Sequence, residues 1–297
     1  MSRPLPVINS PPAGDDPPPF ARIAIVGFGL IGGSLALAIR QRWRGGLIVA
    51  VDRKPVLEAA MRQHAADVAA DDLGMASEAD LIVLAAPVRQ NLQVLDELPS
   101  LVSQSAIVTD VGSTKAEIVR RARALPEHLT FAGGHPLAGS ATGGLSAARP
   151  DLFSGRPWIL TTPAREEALT RLEAFIGELG ARPLRIDADA HDTLLAYLSH
   201  LPQLTASALM HVVGQRAQGS GLALAGRGLR DTTRLALSPP DIWRDVAATN
   251  VTPIAQALDE LIAVLQQLRD DLPEGDVLQQ VFDSAARWKA ALEGPER

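Results

Sequence analysis

One histidine stands between glycines and a proline in Gly133-Gly134-His135-Pro136-Leu137-Ala138-Gly139-Ser140. Those neighbours restrict the backbone around an imidazole, the side chain whose ordinary pKa lies nearest neutrality. His135 is therefore the candidate general base. Of the other histidines, His64 and His128 stand in polar contexts and read as solvated, and His211 sits on a helical stretch and reads as packing. His191-Asp192 and Ser199-His200-Leu201-Pro202-Gln203 open the second half of the chain. Pro202 inside a helical pattern predicts a kink. Such a kink either aims His200 into a cleft or merely leaves it paired to a neighbour. Asp110-Val111-Gly112-Ser113-Thr114-Lys115 offers Ser113 as a donor to a ligand oxygen, or Ser113 and Thr114 as helix caps. In Asp231-Thr232-Thr233-Arg234, Arg234 either grips an anion or pairs locally with Asp231. No cluster with metal-ligand spacing is present, and no metal is expected.

A second constellation binds rather than reacts. Gly27-Phe28-Gly29-Leu30-Ile31-Gly32 is a G-x-G-x-x-G that follows a strand signal and opens a helix signal, with Asp52 twenty residues after Gly32. In that setting it marks a dinucleotide site. Gly27 allows the tight turn, Gly29 lets the backbone approach a pyrophosphate, and Gly32 lets helix and strand pack closely. The N–H groups at the helix start face the anion. A carboxylate at Asp52 accepts from a ribose 2′-hydroxyl and repels a 2′-phosphate, which favours NAD. Arg53 and Lys54 beside it keep NADP open. Pro87, just past the third strand signal, turns the chain beside the cofactor or serves as a plain loop proline.

These residues need strands to carry them. Apolar, partly β-branched runs at Arg22–Val26, Leu47–Val51, Leu81–Ala85, Ala106–Thr109 and Thr130–Ala132 predict strands buried on both faces. Helices are predicted at Leu30–Arg42, Lys54–His64, Arg89–Leu95 and Lys115–Ala124. The alternation implies a doubly wound parallel sheet, with ligands outside the carboxyl ends of its strands. Trp158–Thr161 and Leu184–Ile186 predict further strands, flanking a helix over Glu166–Leu179. From about residue 190 the pattern is helical, with Thr252 and Pro253 reading as N-cap and first residue of one helix. The expected division is a proline-rich disordered tail over 1–20, a dinucleotide-binding domain over 21–188 and a helical domain over 189–297.

Composition narrows the function classes. The chain has 297 residues, 28 basic and 34 acidic, for a net charge of −6. That balance argues against nucleic-acid binding, which rests on neutralising phosphates. The chain has no cysteine, so thiolate metal sites, disulfides and cysteine nucleophiles are excluded, in keeping with a reducing compartment. No apolar run approaches a membrane span. Seven of the 22 prolines fall in the first twenty residues, which lack the basic and apolar regions of a secretion signal. A cytoplasmic protein with no membrane partner is expected.

Taken in order, Gly27 to Ser34, Asp110 to Lys115, Gly134 to Ser140, Ser199 to Pro202, and Asp231 to Arg234 with Trp243 and Asn250 resemble the prephenate/arogenate dehydrogenase family of tyrosine biosynthesis. The resemblance runs from about residue 20 to 290. It implies a Rossmann-type N-terminal domain, an all-α C-terminal domain that forms a homodimer, and an active site between them. It also implies NAD-dependent oxidative decarboxylation of a small cyclohexadiene substrate, prephenate, arogenate or both. By resemblance His135 accepts the ring-hydroxyl proton, Ser113 bonds the same hydroxyl or orients the histidine, and Arg234 grips a carboxylate. His200, Gln203 and Ser140 fall on the substrate side.

Two positions depart from the family pattern. Gln203 stands where a second histidine is common, and Ala141 where a glutamate is common after Gly139-Ser140. A neutral glutamine both donates and accepts, so it does not choose between a substrate ketone and an ammonium. Two alternative readings are a β-hydroxyacid dehydrogenase and a non-catalytic NAD-binding protein. The first lacks its lysine, since none lies between Lys115 and Lys289.

Overall fold

The structure, a computed structural model of the chain, describes residues 17–43, 45–140 and 142–294. Two compact units emerge from its internal contacts. The first comprises residues up to Leu194 together with Leu237–Asn250; the second comprises Leu195–Ala236 and the chain from Val251. The sequence-based boundary at 188/189 therefore differs in two ways. The chain leaves the first unit six residues later, inside a helix, and Leu237–Asn250 returns to it.

The first unit is built on a six-stranded parallel sheet. Its strands are β1 (Arg22–Val26), β2 (Leu47–Val51), β3 (Val68–Ala70), β4 (Leu81–Leu84), β5 (Ala106–Asp110) and β6 (Leu129–Phe131). Their spatial order is β3-β2-β1-β4-β5-β6. The order reverses between β1 and β4, so the ligand crevice belongs at the carboxyl ends of that pair. Ala24, Ile25, Ile82 and Leu84 are wholly buried, which explains why the strands read as continuous apolar runs. Helices α1 (Leu30–Arg42), α2 (Lys54–Arg62), α3 (Val88–Leu101) and α4 (Ala116–Ala122) connect them. Helix α3 runs past the expected end at Leu95 and holds Pro99 in its last turn. Strand β3 has no counterpart in the sequence reading, being three residues of valine and alanine at the sheet edge.

A second sheet follows, of β7 (Gly134–Pro136), β8 (Pro157–Thr162) and β9 (Arg182–Asp187), in that order. Strand β7 runs antiparallel to β8 and pairs His135 with Ile159; β9 runs parallel to β8. The segment that reads as a polar loop around His135 is thus a short strand. Helix α5 (Glu166–Glu178) packs behind and ends before Gly180, whose φ is +83°. Phe20 lies edge-on to Phe175 at 5.5 Å between ring centroids, with the Arg171 guanidinium 4.5 Å over its ring. Such contacts contribute about 0.5–1.5 kcal/mol each. The predicted tail is therefore corrected at its end: Pro17–Phe20 are described and Phe20 is core, whereas residues 1–16 lie outside the described residues.

The second unit is helical among its described residues. Helix α6 (Ala188–Leu195) leads into a π-helical turn over Ala196–His200, then α7 (Leu201–Leu222). The kink expected at Pro202 is corrected: the backbone is helical at His200 and Leu201, and the non-helical residue inside α7 is Gln218, at φ +49° and ψ −165°. A widened turn ends at His200, and Pro202 falls in the first turn of α7, where its missing N–H is tolerated. Then come α8 (Arg227–Thr232), a 3₁₀ turn (Arg234–Leu237), α9 (Pro240–Thr249) in the first unit, α10 (Val251–Asp270) and α11 (Asp276–Leu292). Helix α10 begins at Val251, so Thr252 lies inside it rather than capping it. Pro253 still falls in the first turn, where its missing donor is harmless. His211 is exposed on α7 rather than packed. His128 is half-buried rather than solvated, with Nε2 2.8 Å from the Val102 carbonyl.

Candidate active site

The glycine loop lies where β1 meets α1. Gly27 has φ +94°, and a Cβ there would overlap the backbone of Ala85 and Ala86. A Cβ on Gly32 would overlap the Gly27 carbonyl. These two glycines are required by the protein's own packing. Gly29 differs, because a Cβ built on it meets nothing within 4 Å. The space beside it faces a cleft of about 630 Å³, lined by Gly27, Gly29, Asp52, Arg53, Ala86 and Pro87 among others. This open cradle at a helix start fits the pyrophosphate of a dinucleotide.

Asp52 is fixed at the end of β2. Its two carboxylate oxygens accept 2.6 Å hydrogen bonds from the Phe28 and Arg53 backbone N–H groups. Phe28 is buried beneath the loop, and Leu30 and Ile31 form the half-buried first turn of α1. The Arg53 side chain is 89% exposed at the cleft mouth. Lys54 lies 3.7 Å from Asp71. Pro87 both lines the cleft and stands at the start of α3.

A buried polar network occupies the ends of β5 and β7. Asp110, the last residue of β5, accepts from the Gly112 and Gly134 N–H groups and pairs with the Lys115 ammonium. Both side chains are wholly buried. Burial pushes the Lys115 ammonium below its ordinary pKa, with Asp110 opposing that shift. The start of α4 is capped from afar. Asp192 accepts from the Lys115 and Ala116 N–H groups at 2.7 and 2.8 Å, while the Asn250 amide donates to the Asp192 carbonyl at 2.8 Å. Neither Ser113 nor Thr114 caps this helix, because Asp192 does. Thr114 instead bonds Thr249 at 2.7 Å, and Ser113 is half-buried beside the network.

His135 is half-buried on β7, one residue after the Gly134 N–H that Asp110 holds. Its Nδ1 lies 2.8 Å from Nε2 of His191, whose Nδ1 lies 2.8 Å from Asp192. His191 is fully buried. In sequence His191-Asp192 is noted only as a pair opening the second half of the chain, with no site role. The available signal is an adjacent His-Asp pair just past β9, but only the fold carries it to His135. Ser140 lies on the exposed loop beyond β7, with its hydroxyl 3.4 Å from Thr142; Ala141 lies outside the described residues.

Within the helical unit, Gln203 is buried on α7 and donates to Ser207 and to the Leu235 carbonyl, at 3.2 and 2.8 Å. Leu235 adjoins Arg234, so Gln203 holds the turn that carries the arginine. Arg234 is exposed, and among the described residues it forms no ion pair with Asp231. The local-pair reading of Arg234 is thereby removed. His200 is buried at the end of the π-helical turn. Among the described residues no group of three or more histidine, aspartate or glutamate side chains is placed to hold a metal.

Comparison with known proteins agrees with this architecture. The profile described as prephenate dehydrogenase, nucleotide-binding domain, matches residues 35–184, and that described as prephenate dehydrogenase, dimerization domain, matches residues 187–282. The chain belongs to the prephenate dehydrogenase family. The prephenate dehydrogenase of Bacillus subtilis is 33% identical over 280 residues, covering 91% of this chain and 76% of that protein. The crystal structure of Synechocystis arogenate dehydrogenase superposes with a TM-score of 0.75 at 31% identity, over 90% of this chain and 99% of that one. Prephenate dehydrogenase of Aquifex aeolicus, solved with hydroxyphenyl propionate and NAD+, gives a TM-score of 0.83 at 25% identity, over 91% and 98%. Membership makes this chain an oxidoreductase with a nucleotide-binding domain, and displaces the β-hydroxyacid alternative.

Proposed function

We propose that the protein oxidatively decarboxylates prephenate, arogenate or both, with His135 as the proton acceptor and NAD preferred over NADP. The observation that carries this reading is His135 itself, held beside the carboxyl end of β5 by Asp110 through Gly134 and engaged through Nδ1 by His191. Bound NAD supplies the hydride acceptor. The glycine loop and Asp52 would hold it. His135 takes the ring-hydroxyl proton as the carbinol carbon is oxidised. The ring carboxylate then leaves as CO₂, and its bonding pair completes the aromatic ring. Aromatisation drives the reaction, so the protein has to position the substrate, take one proton and bind anions. Ser113 bonds the reacting hydroxyl or orients His135, and Arg234 grips a carboxylate through a charge-assisted pair. His200, Gln203 and Ser140 belong to the substrate side.

Asp52 supports the preference for NAD, since a 2′-phosphate would meet its carboxylate. We assign the helical unit to a homodimer contact. The family's dimerization domain matches residues 187–282, most of this unit, and large apolar side chains such as Phe282 and Trp288 are 64% and 73% exposed on α11. No described helix is long and apolar enough to cross a membrane; we place the protein in the cytoplasm on the absence of cysteine. The base assignment is tested by the pH profile of kcat/KM. The rate should fall as pH drops and the imidazole becomes protonated, and His135→Asn should lose about 10²–10⁴-fold in kcat. An unchanged kcat in His135→Asn would remove His135 from the chemistry.

A further inference from the structure

We propose that His191, braced by Asp192, is a positioning residue that sets the tautomer of His135, placing the proton on Nδ1 and the lone pair on Nε2. The proposal rests on His135 as the base and goes one layer deeper. Asp192 accepts from two backbone N–H groups, those of Lys115 and Ala116. It acts as acceptor towards its third neighbour as well, so Nδ1 of His191, 2.8 Å away, is the donor. A neutral imidazole with its proton on Nδ1 accepts at Nε2. Nε2 of His191 lies 2.8 Å from Nδ1 of His135, so His135 donates there and carries its lone pair on Nε2. That is the state a general base needs.

The same chain strengthens the base. When Nε2 of His135 takes a proton, the imidazolium still donates from Nδ1 to His191, which is backed by the Asp192 carboxylate. Hydrogen bonding to the charged form favours it. The charged groups around this pair include Asp192 on the helix of His191, Lys115 at the head of α4 and Asp110 at the end of β5. Lys115 pairs with Asp110 and also feels the Asp192 carboxylate, and Asp192 is the carboxylate in direct hydrogen bond with His191. His191 is wholly buried and does not meet substrate itself.

The test compares His191→Phe, which keeps a ring but no acceptor, with His191→Gln, whose amide oxygen can replace Nε2. Both are measured as full-length protein with NAD+ and prephenate or arogenate, whichever the wild type turns over. His191→Phe should lower kcat/KM about 10²-fold and move its acidic limb to lower pH, and His191→Gln should restore most of both. Independently, long-range ¹H–¹⁵N spectra of ¹⁵N-histidine protein, assigned with His135→Asn, should show His135 protonated at Nδ1 in wild type and in His191→Gln. A wild-type His135 protonated at Nε2 would overturn the proposal. So would a His191→Phe enzyme with unchanged rate and limb. If His191→Phe does not fold, the tautomer in wild type and His191→Gln decides. Full activity in His135→Asn would instead remove the underlying reading, so the two failures are distinct.

Discussion

Replacing Gly29 with alanine separates what the glycine loop does for the fold from what it does for the ligand. Gly29 has φ −80° and ψ −149°, and its added Cβ would meet no protein atom within 4 Å. Stability should therefore change by no more than about 1 kcal/mol, the scale of a compatible glycine-to-alanine exchange. The methyl would instead occupy the cradle and push a pyrophosphate off the first-turn N–H groups. Charge-assisted hydrogen bonds contribute about 1.5–3 kcal/mol each. Losing one or two of them weakens NAD+ binding by about 10²-fold. Isothermal titration gives the affinity, and thermal unfolding gives the stability. Gly27→Ala is the contrasting control: at φ +94° and against the Ala85–Ala86 backbone, it should lose stability first. A Gly29→Ala protein that binds NAD+ within about threefold of wild type would refute the assignment of the cradle.

Four further outcomes are expected. Asp52→Ser should raise the NADP+-to-NAD+ ratio of kcat/KM by at least about 10²-fold, since two like charges at ~4 Å cost ~4 kcal/mol at an effective dielectric of 20; an unchanged ratio would place the ribose elsewhere. Arg234→Gln should raise the substrate KM about 10–100-fold, more than it lowers kcat, and the reverse split would move the arginine's role into the transition state. Lys115→Met should cost about 3–5 kcal/mol in urea unfolding by stranding the Asp110 charge, with part of the loss recovered on adding Asp110→Asn; a cost below about 1 kcal/mol would mean the Gly112 and Gly134 N–H groups suffice. Arg185 holds the Glu173 and Glu166 carboxyls below their ordinary 4.5 by hydrogen bonding. A depressed carboxyl stabilises the fold above that value and loses its effect as pH falls through the lowered one. Thermal scans of Arg185→Met should therefore show a deficit of at most a few degrees at neutral pH, closing in acid; a deficit independent of pH would assign the loss to packing.

The parallel sheet was legible because its strands are buried on both faces, so Ile23–Val26 and Leu81–Leu84 read as unbroken apolar runs. The glycine loop and Asp52 were legible because a helix start that binds an anion imposes local spacing. Strand β7 was not, since three residues with a histidine at the centre carry no period-2 signal and pair only through the distant β8. Nor was the cap of α4. Ser113 and Thr114 are good local cappers, yet Asp192, 77 residues from Lys115, takes the position. His191 was missed for the same reason, because its contact with His135 spans 56 residues. Gln203 reads as a departure on the substrate side, and only the fold shows it tied to the carbonyl beside Arg234. Local rules find loops and strands; side chains joined by tertiary packing lie beyond them.

The central claim is most directly tested by mixing purified protein with NAD+ and either prephenate or arogenate while following reduced-nicotinamide absorbance and CO₂ release together. NAD+-dependent turnover of at least one substrate is expected, with one CO₂ released per nicotinamide reduced. Binding of NAD+ with no turnover of either substrate, with NADP+ equally inert, would contradict it and leave a nucleotide-binding protein without this chemistry.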